Sequence, residues 1–200
     1  MQNIIYRYAG SLYLNLTNKC PCSCTFCIRT RGQGIGADGS LWLKSEPTAT
    51  QLIAQLEHTP LEEFDEVVFC GYGEPFCALD TLLEVCAYLR TRPERPCIRI
   101  NTNGLGDLIN GKATASLLEG LVDKISISLN APDSASYVQL CHPTFGEQSF
   151  GAVLSFAREC KQYVPGVTLS VVDVISAEQT ARCREIATEL GIPLRVRHCE

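Results

Sequence analysis

Four cysteines fall within eight residues in the run Cys20-Pro-Cys22-Ser-Cys24-Thr-Phe26-Cys27. Thiolates are soft ligands suited to iron–sulfur clusters, zinc or copper(I). Taken through Cys20, Cys24 and Cys27, the spacing is C-x3-C-x2-C, with the aromatic Phe26 just before the last cysteine. Three thiolates on a four-iron cluster leave one iron without a protein ligand, the kind of open position that catalytic metal sites keep. Two other chemistries compete. A zinc site needs a fourth ligand, which Cys22 would supply, but zinc sites commonly pair two separated half-motifs and this run is cramped by comparison. Cys24-Thr-Phe-Cys27 has the form of a thioredoxin-like redox pair, without the usual neighbourhood of one. In the cluster reading Cys22 is a bystander.

A second group of residues could bind a ligand that such a metal site holds. Gly71-Tyr72-Gly73-Glu74-Pro75 offers a carboxylate acceptor for an ammonium, and its glycines allow close backbone approach and positive φ. Pro75 keeps the preceding residue extended. Asn101-Thr102-Asn103-Gly104 and Ser128-Leu129-Asn130-Ala131-Pro132 supply hydroxyl and amide groups that suit sugar hydroxyls. The run from Asn130 to Asp133 also reads as a capped helix start. Asp173 is a further candidate contact, or a solvated loop carboxylate. Arg195 and Arg197 share one strand face by period two and could hold an anionic substrate if that face looks inward. Residues 31–39 are glycine-rich, and no phosphate-binding G-x-x-x-x-G-K pattern occurs.

The elements that must position these groups are read from periodicity. Short, β-branched segments at residues 12–17, 66–70, 98–101, 124–129, 167–174 and 194–198 predict six strands. Residues 3–8 predict an additional antiparallel strand, turning at Ala9-Gly10. Helical spacing appears over residues 50–58, 79–90, 113–118, 150–163 and 178–190, the last ending at Gly191 with Pro193 beyond. Strands alternating with helices imply parallel pairing through right-handed crossovers. A closed eight-fold barrel takes about 250 residues, so six units in 200 residues predict an α/β fold, an open partial (β/α)6 barrel with helices outside. Ligands of such folds sit at the carboxyl ends of the strands. The cysteine loop and each polar segment above fall at those ends.

Composition bounds the rest. The chain is 46% apolar and 20% charged, as expected for a globular protein, and long enough for one domain over residues 1–200. A net charge of −5 gives no electrostatic footprint for nucleic acid or an anionic membrane. No apolar run reaches the roughly 20 residues of a membrane span, and no signal-peptide pattern opens the sequence. These features predict a cytoplasmic protein. The 12 cysteines fall short of the density of a disulfide scaffold, and those outside the cluster run read as small buried hydrophobes.

The cysteine spacing with its aromatic residue resembles the signature of the radical S-adenosylmethionine (SAM) superfamily, and the resemblance extends from the first strand to Arg197. It implies a [4Fe–4S] cluster on Cys20, Cys24 and Cys27, and SAM as a second cofactor. SAM would chelate the open iron and be cleaved reductively to a 5′-deoxyadenosyl radical that abstracts hydrogen from a small-molecule substrate. Gly71, Gly73 and Glu74 resemble the segment that binds the SAM amino group. Asn103 resembles the residues closing the third strand near SAM or substrate, and Ser128 and Asn130 those that bond ribose and carboxylate. Many members carry aspartate where Asn130 stands. Phe26 and Asp173 complete the expected cofactor contacts. Leu41-Trp42-Leu43, Glu46-Pro47-Thr48 and Arg195-Val196-Arg197, with the strand-end segments, look like the TatD-associated radical SAM family. That likeness implies a functional link to a TatD-type hydrolase, and the superfamily implies an electron donor such as flavodoxin or ferredoxin. Two other readings stand beside this one: an activating enzyme of the glycyl-radical type acting on a protein partner, and a non-catalytic metal module for zinc or iron–sulfur sensing. The module would not need the strand-end residues Glu74, Asn103, Ser128 and Asn130.

Overall fold

The computed structural model describes residues 2–30, 40–94 and 96–199; the glycine-rich stretch 31–39 lies outside the described residues. Seven strands form one sheet in sequential order: β1 (Ile5–Tyr8), β2 (Ser11–Leu14), β3 (Glu66–Phe69), β4 (Cys97–Thr102), β5 (Lys124–Ser128), β6 (Gly166–Val172) and β7 (Leu194–Arg197). β1 and β2 are antiparallel around the Ala9-Gly10 turn, where both residues take positive φ, and the other pairings are parallel. This is the open (β/α)6 arrangement expected from the alternation of strand and helix.

The crossovers carry α1 (Ala49–Leu56), α2 (Leu79–Thr91), α3 (Gly106–Asn110), α4 (Ser134–Cys141), α5 (Gln148–Tyr163) and α6 (Ala177–Leu190). Local chemistry sets their ends. Thr48 and Gln51 form a reciprocal capping box at the start of α1, as Ser176 and Gln179 do for α6, and Gly191 closes α6 at φ 61°. α3 was not expected, and α4 only as the capped helix start read at Asn130–Asp133. The helical pattern at 113–118 is only a 3-10 turn at Ala115–Leu118.

Alternation along the strands divides the sheet into two unlike faces. Leu12, Phe69, Ile98, Ile100, Ile125, Ile127, Leu169 and Val171 point to the helix side and join Leu82, Leu89, Val153 and Phe156 in the main core. Each such side chain is worth roughly 1.5–3 kcal/mol when fully buried, so this face holds the molecule together. The intervening positions are mostly polar or charged, with Val68 and Val172 as apolar exceptions. Glu66, Arg99 and Lys124 form a cross-strand ion-pair group on β3–β5, with Arg99 Nε 2.7 Å and Lys124 Nζ 2.6 Å from the Glu66 carboxylate. A sheet face without helices and with charges on it is the lumen of a half-barrel. At the β1–β2 edge a smaller cluster of Tyr6, Leu41 and Tyr72 packs with Tyr8, Tyr13 and Ile28.

Candidate active site

The cysteine loop leaves β2 and is strapped on both sides. Asn15, Thr17 and Asn18 anchor its approach: Asn15 Nδ2 donates to the Leu41 carbonyl at 2.7 Å, and Asn18 exchanges hydrogen bonds with Leu43. On the other side the loop lies against the end of α4 and the residues after it. Ser23 N donates to Cys141 O, Thr25 N to Leu140 O, and Thr144 N to Pro21 O at 2.8–3.0 Å, and Cys22 bridges Pro143. Arg29 folds back to donate to the Cys22 carbonyl at 2.9 Å. Phe26 packs against the main core.

The sulfur atoms are grouped differently from the spacing argument. Cys22 is buried with its single S–H within hydrogen-bonding reach of both Cys20 and Cys24, and Cys141 at the end of α4 hydrogen-bonds Cys24. These bonds, with the Arg29 charge assisting, pull the Cys20 thiol down to about 7 and Cys24 to about 4. The donors Cys22 and Cys141 are pushed up by the same bonds and by burial. Cys27 is raised by burial and lies within electrostatic reach of Cys20 and Cys24. Among the described residues, no three ligand side chains already stand in metal-binding geometry. Cys22 packs among these thiols, and Cys141 was not anticipated beside them.

Glu74 ties the second and third strand ends to this loop. Its segment lies against the cysteine loop because Gly71 and Gly73 have no side chains. A Cβ on Gly71 would come within 2.0 Å of Asn15 Oδ1, and one on Gly73 within 2.2 Å of Thr17 O. Neither glycine has positive φ, so close approach to the neighbouring chain is their structural role. Glu74 N then donates to Lys19 O at 2.8 Å. The buried carboxylate accepts from Thr102 Oγ1 at 2.6 Å, Asn103 N at 2.7 Å and Phe76 N at 3.2 Å. Burial nevertheless raises its pKa to about 8, against the lowering effect of those bonds. Asn103 continues the chain of contacts, its Nδ2 reaching Cys20 Sγ at 3.9 Å and Cys22 Sγ at 3.8 Å.

The fourth strand end arrives from the opposite side. Asn130 is buried at φ 58°, an αL position that asparagine tolerates better than most residues. Its Nδ2 donates to Cys141 Sγ at 3.6 Å, and its Oδ1 is enclosed without a partner. Ser128 accepts from Arg197 Nη2 at 3.5 Å. Asp133 is the N-cap of α4, accepting from Ser136 N at 2.8 Å, so the capped helix start begins just after the candidate contact. Asp173 is exposed; it bonds His198 Nδ1 at 2.7 Å and Cys199 N at 2.8 Å, and its lowered pKa follows from those partners. The structure thus gathers Cys20, Cys22, Cys24, Glu74, Asn103, Asn130 and Cys141, and holds Asp173 in a separate contact with the chain's tail.

The donor set fits an iron–sulfur cluster with a polar organic ligand beside it. Soft thiols are grouped on one loop, the enclosed Glu74 carboxyl group is linked to them through Asn103, and the buried Asn130 amide oxygen lacks a donor among the described residues. An open, mostly parallel half-barrel with such a loop after its first parallel strand defines the class, and sequence comparison names it. The Radical SAM superfamily model matches residues 14–190, and the chain belongs to that superfamily, whose members use a [4Fe–4S] cluster and S-adenosylmethionine. The chain is 33% identical over 137 residues to a GTP 3′,8-cyclase of Mycobacterium ulcerans (strain Agy99), covering 66% of this chain and 34% of the relative. It spans about a third of the length of that relative. Among solved structures, a radical SAM methyltransferase from Sphaerobacter thermophilus matches with a TM-score of 0.60 at 18% identity, over 97% of this chain and 68% of the other. The anSMEcpe structure with bound AdoMet and a Cp18Cys peptide matches with a TM-score of 0.64 at 19% identity, over 94% and 51%. These two likenesses establish the fold. No helix among the described residues is long and apolar enough to cross a membrane.

Proposed function

We propose that this chain is the catalytic core of a radical SAM enzyme, with Cys20, Cys24 and Cys27 holding the [4Fe–4S] cluster and SAM bound beside it. Held there, such a cluster would supply the electron for reductive cleavage of SAM, and with it the hydrogen-abstracting chemistry of the superfamily. Glu74, with the backbone of Gly71 and Gly73, receives the SAM amino group; an ammonium there restores the carboxylate charge that burial disfavours. Asn103, Ser128 and Asn130 orient ribose and carboxylate, and the unpartnered Oδ1 of Asn130 accepts a hydroxyl. Phe26 shields the cluster side. Asp173, exposed and engaged with His198, is the weakest member of the cofactor set.

The observation that carries this reading is the continuous contact from Glu74 through Thr102 and Asn103 to Cys20 and Cys22. A metal-storage or sensing module has no use for a buried carboxylate and amides converging on its thiols. The strand-end segments and the closing Arg195-Val196-Arg197 further support a TatD-associated member, linked in function to a TatD-type hydrolase. A flavodoxin or ferredoxin supplies the electron, the substrate is a small anionic molecule, and the reaction takes place in the cytoplasm, where the 12 free cysteines stay reduced.

The test is anaerobic. Protein reconstituted with iron and sulfide, reduced with dithionite and given SAM, is expected to form 5′-deoxyadenosine, detected by mass spectrometry. Cys24→Ala is expected to form none. Tight zinc binding by the purified protein, with no deoxyadenosine after reconstitution, would refute the proposal.

A further inference from the structure

Arg197 is the penultimate described arginine's partner in alternation: it follows Arg195 by two residues on β7, so both side chains leave the same face. Leu194 and Val196 join the apolar core on the helix side. The arginines therefore face the lumen. β7 pairs with β6 through Ser170↔Arg195 and Val172↔Arg197, which brings Arg197 to Ser128 on the far side of β6.

Arg197 has no counter-ion among the described residues. Two other half-buried arginines carry carboxylates, Arg90 at 2.6 Å from Asp123 and Arg99 at 2.7 Å from Glu66, while Arg29 is taken up by the Cys22 carbonyl. Among the described residues Arg197 has the 3.5 Å contact from Nη2 to the Ser128 hydroxyl, and its enclosed Nε has no acceptor. Burial accordingly pulls its pKa down, and the like charge of Arg195 adds to that. A desolvated guanidinium with an unused donor is costly to keep. An oxyanion would satisfy it, because carboxylate and phosphate oxygens match the guanidinium fork two at a time.

Room for the rest of a ligand lies beside Arg195, two residues earlier on the same face. A cavity of about 670 Å³ opens on the same face toward the amino ends of the strands, lined by Arg195, Arg99, Lys124, Ser126 and Thr168. Glu66 also lines it, but both of its oxygens are taken by Arg99 and Lys124. Arg195 is exposed and has no salt-bridge partner among the described residues.

We propose that the lumenal face of β7 is an oxyanion site, anchored by Arg197 with Arg195 beside it, which seats a carboxylate or phosphate of the substrate. The proposal rests on the lumen being the substrate chamber of the radical enzyme above, and it goes further in assigning the charge and the residues. The carboxylate of SAM is the other possible source of the oxyanion, and the cavity beside Arg195 favours the substrate.

Calorimetric titration of the reconstituted full chain separates the sources, with pyrophosphate, citrate and SAM as separate probes. Pyrophosphate or citrate is expected to bind wild-type protein saturably. Arg197→Gln is expected to weaken that binding about tenfold or more, with a smaller loss of SAM affinity through its contact with Ser128. Arg195→Gln, at an exposed position, is expected to weaken oxyanion binding without loss of fold, and serves if Arg197→Gln does not fold. No oxyanion binding to wild type, or equal binding by the variants, would overturn the proposal. Loss of SAM affinity without loss of oxyanion affinity would overturn it in favour of the SAM carboxylate. Deoxyadenosine formation is read separately, so failure of the radical chemistry and failure of the anion site are distinguishable.

Discussion

Glu74 has both carboxylate oxygens hydrogen-bonded, yet its pKa is raised from 4.5 to about 8 because it is enclosed. The sign of the resulting pH dependence follows from linkage. A carboxyl group with a raised folded pKa holds its proton more firmly when folded, so its contribution to stability is full below pH 4.5 and is lost as pH rises through about 8. Thermal melts of the cofactor-free chain across that window are expected to show wild type losing stability relative to Glu74→Gln as pH rises. A pH-independent difference would contradict the assignment. The same variant is expected to weaken SAM binding by about tenfold or more, since a charge-assisted bond is replaced by a neutral one. Gly73 makes a steric demand instead. Gly73→Ala puts a methyl 2.2 Å from Thr17 O, an overlap of backbone with little freedom to move. It is expected to cost at least about 1–3 kcal/mol, visible as a lowered Tm together with reduced iron incorporation. A Tm equal to wild type would show that the segment can shift at no cost.

At the scale of elements, α4 does the work the sequence reading did not assign. Its last residues and the turn after it hold the cysteine loop through Ser23, Thr25 and Thr144. Removing its cap by Asp133→Ala is expected to cost about 1 kcal/mol and to speed loss of iron to a chelator, with both changes small and parallel. Faster iron loss at unchanged stability would point to direct contact rather than clamping. The strands and their order were legible in the sequence because period-two patterning and β-branched runs are local signals, and so were α1, α2, α5 and α6. α4 was legible only at its capped start, because only Tyr137 and Cys141 of its eight residues are buried and its apolar pattern is faint. The cap at Asp133, with Ser136 three residues on, was the available signal. The pairing of Glu74 with Thr102 and the arrival of Cys141 beside Cys24 are contacts between distant segments, and spacing within a motif carries no information about them. Cys22 could not be placed from spacing for the same reason, and Asp173 is drawn away by a bond to His198 that strand-end position alone does not reveal.

Over the whole molecule, stability and chemistry occupy opposite faces of one sheet. The helix side is apolar and closely packed, while the lumen carries the Glu66–Arg99–Lys124 group and the two arginines of β7. The sheet is open, with β1 at one edge and β7 at the other, so the lumen is accessible from the side as well as from the strand ends. That division explains why ligand chemistry can be concentrated in a small chain: the lumen contributes little to holding the fold. The central claim is that Cys20, Cys24 and Cys27 hold a cluster whose fourth iron is free for SAM. The most direct measurement is the electron paramagnetic resonance spectrum of the reconstituted, dithionite-reduced protein with and without SAM. The expected result is a cluster signal that changes on addition of SAM, survives in Cys22→Ser and is absent in Cys24→Ala. A signal indifferent to SAM, or one lost in Cys22→Ser and kept in Cys24→Ala, would contradict the account.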